Sequence, residues 1–334
     1  MIAILSYPLA VLLCFGAMIC WGSWANTLKL CQPGWRFQLY YWDYTLGMLI
    51  VAVIAAFTLG SWGHVGSGFL ANMRQANVTC LLEVFCSGVL FNLSNVLLTA
   101  AVEISGMAMA FPIGVGLALS LGVLTGYIAD AKGDPYWLGV GVLCILLAIV
   151  LDAVAYGRLG SKTAHTPKKG IVVALISGVV MGLYYPLMAK AMSPDLLHIV
   201  PGTLTPYSGV FVFSVGIVVS TFVWNGLLMW RPLLGEPIPV QHYWTLGTSR
   251  CHALGLLGGL VTGLGLLFLV ISSVTAGFAI SYGLAQGATM VAALWGVFFW
   301  REFKHAPKGT NRILALMFMF YVIGLCAIVA AKLV

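Results

Sequence analysis

The sequence predicts an all-α integral membrane protein of ten transmembrane helices, built as two inverted five-helix repeats. Three observations lead there. Of 334 residues, 61% are hydrophobic and only 7% charged, whereas a soluble domain carries about a quarter charged residues. Apolar runs of about 20 residues, long enough to cross a bilayer, can be drawn ten times. Segments 171 residues apart also resemble one another.

The ten spans fall at 7–28, 38–60, 77–98, 107–127, 136–156, 170–191, 207–230, 252–272, 276–300 and 311–331. The first has no basic region before it and runs on to Lys29, so it reads as a span and not as a cleaved signal. Pro194, Pro201 and Pro206 punctuate the link between the sixth and seventh. The longest polar pieces, Ser61–Ala76, Gly157–Lys169 and Arg231–Arg250, are too short for a domain with its own core. The expected division is a first repeat over 1–156, a linker over 157–169 and a second repeat over 170–334.

Lys and Arg set the orientation. Twelve of the sixteen lie in or beside the loops after spans 1, 5, 7 and 9; the other four are Arg74, Lys132, Lys190 and Lys332. The positive-inside rule puts the first group in the cytoplasm and both termini outside. A net charge of +7 is explained by this bias and does not imply nucleic-acid binding. Eight cysteines lie mostly within spans with no CxxC pair, as small polarizable core residues.

The repeat follows from sliding the chain by 171 residues. GMAMAFPIGVG (106–116) then lies on GFAISYGLAQG (277–287), with Gly106 on Gly277, Ala108 on Ala279 and Gly116 on Gly287. Gly22-Ser23-Trp24 with Lys29 likewise matches Gly182-Leu183-Tyr184 with Lys190. Five is odd, so the second copy inserts upside down, the design of alternating-access transporters.

Span 9 concentrates the polar signal. Within Thr275–Phe303, Tyr282, Gln286 and Thr289 recur at helical spacing on one face. Gly283 and Gly287 form a second face where another helix can approach closely. Small residues four apart recur at Gly122/Gly126, Gly178/Gly182 and Gly255/Gly259/Gly263. Polar groups deep in a bilayer are costly and default to function. Glu83 in span 3 is the candidate protonatable site, with Asp43 in span 2 second. Asp152, near the end of span 5, is read as structural, meeting water or Arg158. Asn92 and Asn95 of span 3, Trp21, Trp24 and Asn26 of span 1 and Tyr184 of span 6 complete the candidate ligand contacts. Aromatic faces stack on sugars and heterocycles while amides bond their edges. Pro112 and Pro186 are candidate hinges.

No HExxH, GxSxG or P-loop pattern occurs, and all six His lie in or near loops. The chain is therefore not read as an enzyme or an ATP-driven pump, and no cofactor or metal is expected. The expected partners are a small polar neutral solute, protons and the bilayer, with the chain acting as a monomer or homodimer.

These motifs resemble a known group. The five-plus-five layout is similar to the drug/metabolite transporter superfamily. WDYTLG (42–47) with AFTLG (56–60) resembles the ureide permease family. GLAQGATMVAALWGVFFWREF (283–303) resembles both those permeases and the bacterial glucose/ribose porters, and WGSW (21–24) fits the same group, with rhamnose–proton symporters a more distant likeness. The resemblance implies proton-driven uptake of a small uncharged polar metabolite (a monosaccharide, nucleobase or nucleoside, or ureide) across a bacterial-type inner membrane. Plant permeases carry a long central loop with a nucleotide-like motif; 157–169 is short and lacks it, so regulation through that loop is not expected. An exporter or facilitator of the same superfamily is the alternative within transport, and a membrane scaffold subunit the alternative outside it.

Overall fold

The computed structural model describes residues 1–159 and 167–333; most of the linker expected over 157–169 falls outside them. Ten helices are long and apolar enough to cross a membrane: Tyr7–Lys29, Phe37–Phe57, Val78–Ser105, Met109–Ala129, Pro135–Gly157, Lys168–Ala191, Pro206–Trp230, Ser249–Ala276, Phe278–Phe299 and Thr310–Ala330, here spans 1 to 10. Among the described residues everything else regular is short helix, apart from one isolated bridge between Met192 and Leu204.

Spans 3 and 8 run past the sequence estimate because each is 28 residues long, Val78–Ser105 and Ser249–Ala276, in step at the 171-residue offset. Each stops at a glycine with positive φ, Gly106 at 79° and Gly277 at 99°. An L side chain is strained there, so glycine ends the helix and turns the chain straight into the next span. The two glycines are the pair that the sequence repeat superposes.

Span 2 packs on span 8 and span 3 on span 7; span 3 packs on span 6 and span 8 on span 1; spans 4 and 6 pair, as do 9 and 1. In each case, adding or subtracting five from the span numbers turns one pairing into the other. Spans 5 and 10, and spans 2 and 7, pair with each other. Close approach depends on glycine. A Cβ on Gly47 would lie 2.4 Å from the Leu256 carbonyl oxygen, and one on Gly259 1.9 Å from that of Tyr44. Gly88 and Gly216 do the same for spans 3 and 7, at 2.2 Å from the Phe213 and 2.4 Å from the Phe85 oxygen. With lipid outside as apolar as the helices, such backbone proximity is what holds a bundle together.

Both chain ends lie on one face. The Met1 amino group donates to the Val65 carbonyl (2.8 Å), Tyr7 Oη to that of Val329 (2.8 Å) and the Asp134 amide to that of Ala331 (2.5 Å). Pro112 and Pro186 sit inside continuous helices.

Candidate functional site

Span 9 is not one helix. It runs as Phe278–Ala285, breaks at Gln286–Gly287, resumes as Ala288–Leu294 and ends in a π-helical turn, Trp295–Phe299. At the break the Gly287 amide reaches back only to Leu284 (3.0 Å), and that of Thr289 to Gln286 (3.4 Å). Thr289 Oγ1 donates to the Gln286 carbonyl at 3.0 Å and accepts from Tyr321 Oη of span 10 at 2.7 Å. Gly287 suits this place because it weakens the helix and because Met18 Sδ stands 2.6 Å from where a Cβ would be. Gly283 admits Ile328 of span 10, so the glycine face meets spans 1 and 10.

Two adjoining chambers lie against the break. The inner one, about 200 Å³, is lined by Trp21, Phe91, Ser177, Thr262 and Gln286. The outer one, about 360 Å³, reaches Asn26, Lys29, Asp152, Tyr156 and Glu302. Trp24, Asn95, Phe111 and Thr289 line both. The size suits a small-molecule site, where ~300–1,000 Å³ is usual. The cavity ends at the face carrying the basic loops, where Lys29 is half exposed.

The polar groups are held from behind. Tyr41 Oη donates to Asn92 Oδ1 (2.8 Å), and Asn95 Nδ2 donates to the same Tyr41 oxygen (3.1 Å). Asn92 Nδ2 faces Ser220 Oγ (2.8 Å), Thr221 Oγ1 (3.1 Å) and the Ile217 carbonyl (3.1 Å) of span 7. Asn92 is fully buried and satisfied away from the chambers. It positions Asn95 through Tyr41 and does not line the cavity. Asn92→Ala is therefore expected to lower thermal stability by about 1–3 kcal/mol, the usual cost of orphaning buried partners, and to weaken solute affinity through Asn95. Melting curves and uptake KM check this; an unchanged melting temperature would contradict it.

Trp21 donates Nε1 to the Thr262 carbonyl at 3.2 Å. Trp24 packs on Tyr44, ring centroids 5.0 Å apart. Asn26 lies in the outer chamber with both polar ends committed, donating to the Ser23 carbonyl (2.9 Å) and accepting from Trp300 Nε1 (2.6 Å). It ties the mouth together.

Tyr184 and Tyr282 do not line the chambers. They are fully buried with Tyr185, Phe91 and Phe213 in an aromatic cluster toward the face of the chain ends. Tyr185 and Tyr282 stack with centroids 5.1 Å apart, and the Tyr282 ring fills the space that Gly122 leaves. Tyr282 Oη reaches the Met181 carbonyl at 3.5 Å, while Tyr184 Oη has no partner among the described residues. The cluster closes the cavity on that side.

At the opposite end, the Lys29 ammonium pairs with Glu302 Oε1, and Tyr156 Oη donates to Glu302 Oε2 at 2.8 Å. Lys29 also stands over the Trp300 ring at 5.2 Å. The π-helical turn makes room: a Cβ on Gly296 would fall 2.6 Å from Tyr156 Oη and 2.8 Å from Glu302 Oε2. Such turns often mark functional positions.

Neither sequence-selected carboxylate reaches the cavity. Glu83 lies 3.9 Å from Lys190, half-buried. Asp43 is buried, held by Tyr243 Oη (2.5 Å) and His252 Nδ1 (2.8 Å). Asp152, taken as structural, instead lines the outer chamber, only 6% exposed, with Oδ1 unpartnered among the described residues. Arg158, its expected partner, points toward Gly309. Glu302, Lys29, Tyr156 and Tyr321 were also missed; the REF triplet after span 9 was the available signal for Glu302.

A ten-helix bundle with a polar-edged cavity beside a broken helix is the build of a transporter of small solutes and not of an enzyme. The chain belongs to the ureide permease family, whose sequence profile matches residues 159–331. It is 22% identical to ureide permease 1 of Arabidopsis thaliana, over 95% of each chain. It is 25% identical to the glucose uptake protein GlcU of Bacillus subtilis, over 86% of this chain and 84% of that one. One solved crystal structure shares the fold at TM-score 0.62 and 16% identity, covering 98% of this chain and all of the other.

Proposed function

We propose that the chain is a proton symporter that takes up a small, uncharged polar metabolite (a monosaccharide, a nucleobase or nucleoside, or a ureide) by alternating access. The observation that carries this is the chamber at the break in span 9, with Gln286, Thr289 and Asn95 offering hydrogen bonds between Trp21, Trp24 and Phe111. Amides and a hydroxyl match hydroxyl or urea edges, and indole faces match a flat or apolar ring face. Gln286, Thr289, Asn95, Trp21 and Trp24 contact the solute, with Asn26 holding the mouth. A neutral ligand fits because the one cation on the cavity wall, Lys29, is paired with Glu302.

The positive-inside reading makes the open face cytoplasmic and the chain ends external. The state described is then inward-facing, with Tyr184, Tyr185 and Tyr282 as the closed outer gate. The pairing of spans at an offset of five and the matched stops at Gly106 and Gly277 support two inverted five-helix repeats. The names of the relatives, ureide permeases and glucose uptake proteins, support the substrate classes.

Proteoliposome counterflow with sugars, nucleobases, nucleosides and ureides, with and without a pH gradient, tests the reading. One class is expected to exchange, and an inward proton gradient is expected to concentrate it. Exchange that ignores the gradient would leave a facilitator; no exchange with any class would sink the substrate assignment.

A further inference from the structure

Resting on the proton-symport reading, we propose that Asp152 is the group that carries the coupled proton, loading it in one facing state and releasing it to water in the other. Four observations place it there. Asp152 lies in the wall of the outer chamber, the part of the cavity next to the mouth. It is more than nine-tenths buried, and Oδ1 has no hydrogen-bond partner among the described residues. An ionised carboxylate left unpaired in such a place costs several kcal/mol, so it is tolerated where its charge is not permanent. Carboxyls inside a membrane that face a cavity are the usual parts of proton relays.

The groups facing Asp152 divide into two arms. One turn further along span 5, Tyr156 donates to Glu302, which pairs with Lys29 of span 1. Span 10 brings Tyr321, whose hydroxyl donates to Thr289 at 2.7 Å, and Thr289 in turn bonds the Gln286 carbonyl at the break. Span 4, packed on the other flank of span 5, has no charged or titratable residue between Met107 and Ser120. Asp152 therefore stands between the ion pair that ties the mouth and the hydroxyl chain that reaches the solute wall. The step itself is simple: a carboxylate and a proton from water give the carboxylic acid, and the reverse returns both. Neither Glu83 nor Asp43 has this position. Glu83 lies beside Lys190, and both oxygens of Asp43 are taken by Tyr243 and His252.

The test uses the full chain in proteoliposomes with the solute that exchanges best. Asp152→Asn is expected to keep counterflow near the wild-type rate, since exchange needs no net proton movement. The same variant is expected to lose accumulation driven by an inward proton gradient, down to the equilibrium level. Asp152→Glu is expected to keep gradient-driven accumulation. Accumulation by Asp152→Asn at the wild-type level would overturn the proposal. So would loss of counterflow in an Asp152→Asn protein that still melts cooperatively, which would assign Asp152 to solute binding. Should Asp152→Asn fail to fold, Asp152→Glu and Asp152→Ser carry the comparison, and equal accumulation by both would overturn it. Wild-type protein that exchanges solute but ignores the gradient would instead remove the symport reading itself.

Discussion

Gly259→Ala is expected to cost the protein much of its stability, while Gly226→Ala leaves the melting temperature unchanged or raised. The chemical change is the same one methyl group in the middle of a long helix. A Cβ at Gly226 meets nothing within 4 Å, whereas one at Gly259 falls 1.9 Å from the Tyr44 carbonyl oxygen and 2.9 Å from Gly47 Cα. Backbone cannot rotate aside as a side chain can, so spans 2 and 8 would have to part by about an ångström or more. Overpacking costs ~1–3 kcal/mol even where neighbours adjust. Parting these spans also stretches the Asp43–His252 bond that ties them and leaves a buried carboxylate short of a partner. Alanine in place of glycine otherwise favours helix by ~0.5–1 kcal/mol, so the two substitutions should differ in sign. Melting of detergent-purified protein and the yield of monodisperse material measure it; equal melting of the two variants would contradict the packing account.

The spans were legible because hydropathy and length are properties of one segment at a time. So was the Gly255/Gly259/Gly263 stripe, although its partner, Gly47 of span 2, was not. The sequence estimate ended span 3 at residue 98 on bilayer thickness alone; the helix continues to Ser105 because nothing stops it before Gly106. In the site, Gln286, Thr289 and the span 1 tryptophans were legible from periodicity within their own helices. The difference between Asn92 and Asn95 was not. They share a helical face, but one meets Ile217, Ser220 and Thr221 of span 7 and the other meets empty space. That is decided by a span more than a hundred residues away. Asp152 was misjudged for the same reason: a lone carboxylate near a helix end looks like a solvated one until its neighbours are known. The Lys29–Glu302 pair joins positions 273 apart, and no local pattern announces it.

Gln286→Leu is expected to remove solute binding while leaving the fold in place. The two side chains are close in volume, and the position is a wall of the inner chamber and not a packed core, so no cavity opens and no neighbour is displaced. What is lost is one acceptor and two donors. Two hydrogen bonds to a polar solute at about 1.5 kcal/mol each make ~3 kcal/mol, a rise of roughly 100-fold in Kd at ~1.4 kcal/mol per decade. The opposite wall cannot compensate. Sliding by 171 residues puts Tyr282, Gln286 and Thr289 on Phe111, Val115 and Ala118, and all three of these line the inner chamber. The two copies of the frame thus face each other across the solute space, one apolar and the other carrying Gln286 and Thr289. Such a pair of walls fixes which edge of a ring points to span 9, and its polar half is concentrated at the break. Val115→Ala, on the apolar wall, is accordingly expected to weaken binding far less than Gln286→Leu. Kd values by calorimetry with the solute found in counterflow, alongside melting temperatures, separate the two walls; affinity of Gln286→Leu within a few-fold of wild type would show that the solute lies elsewhere.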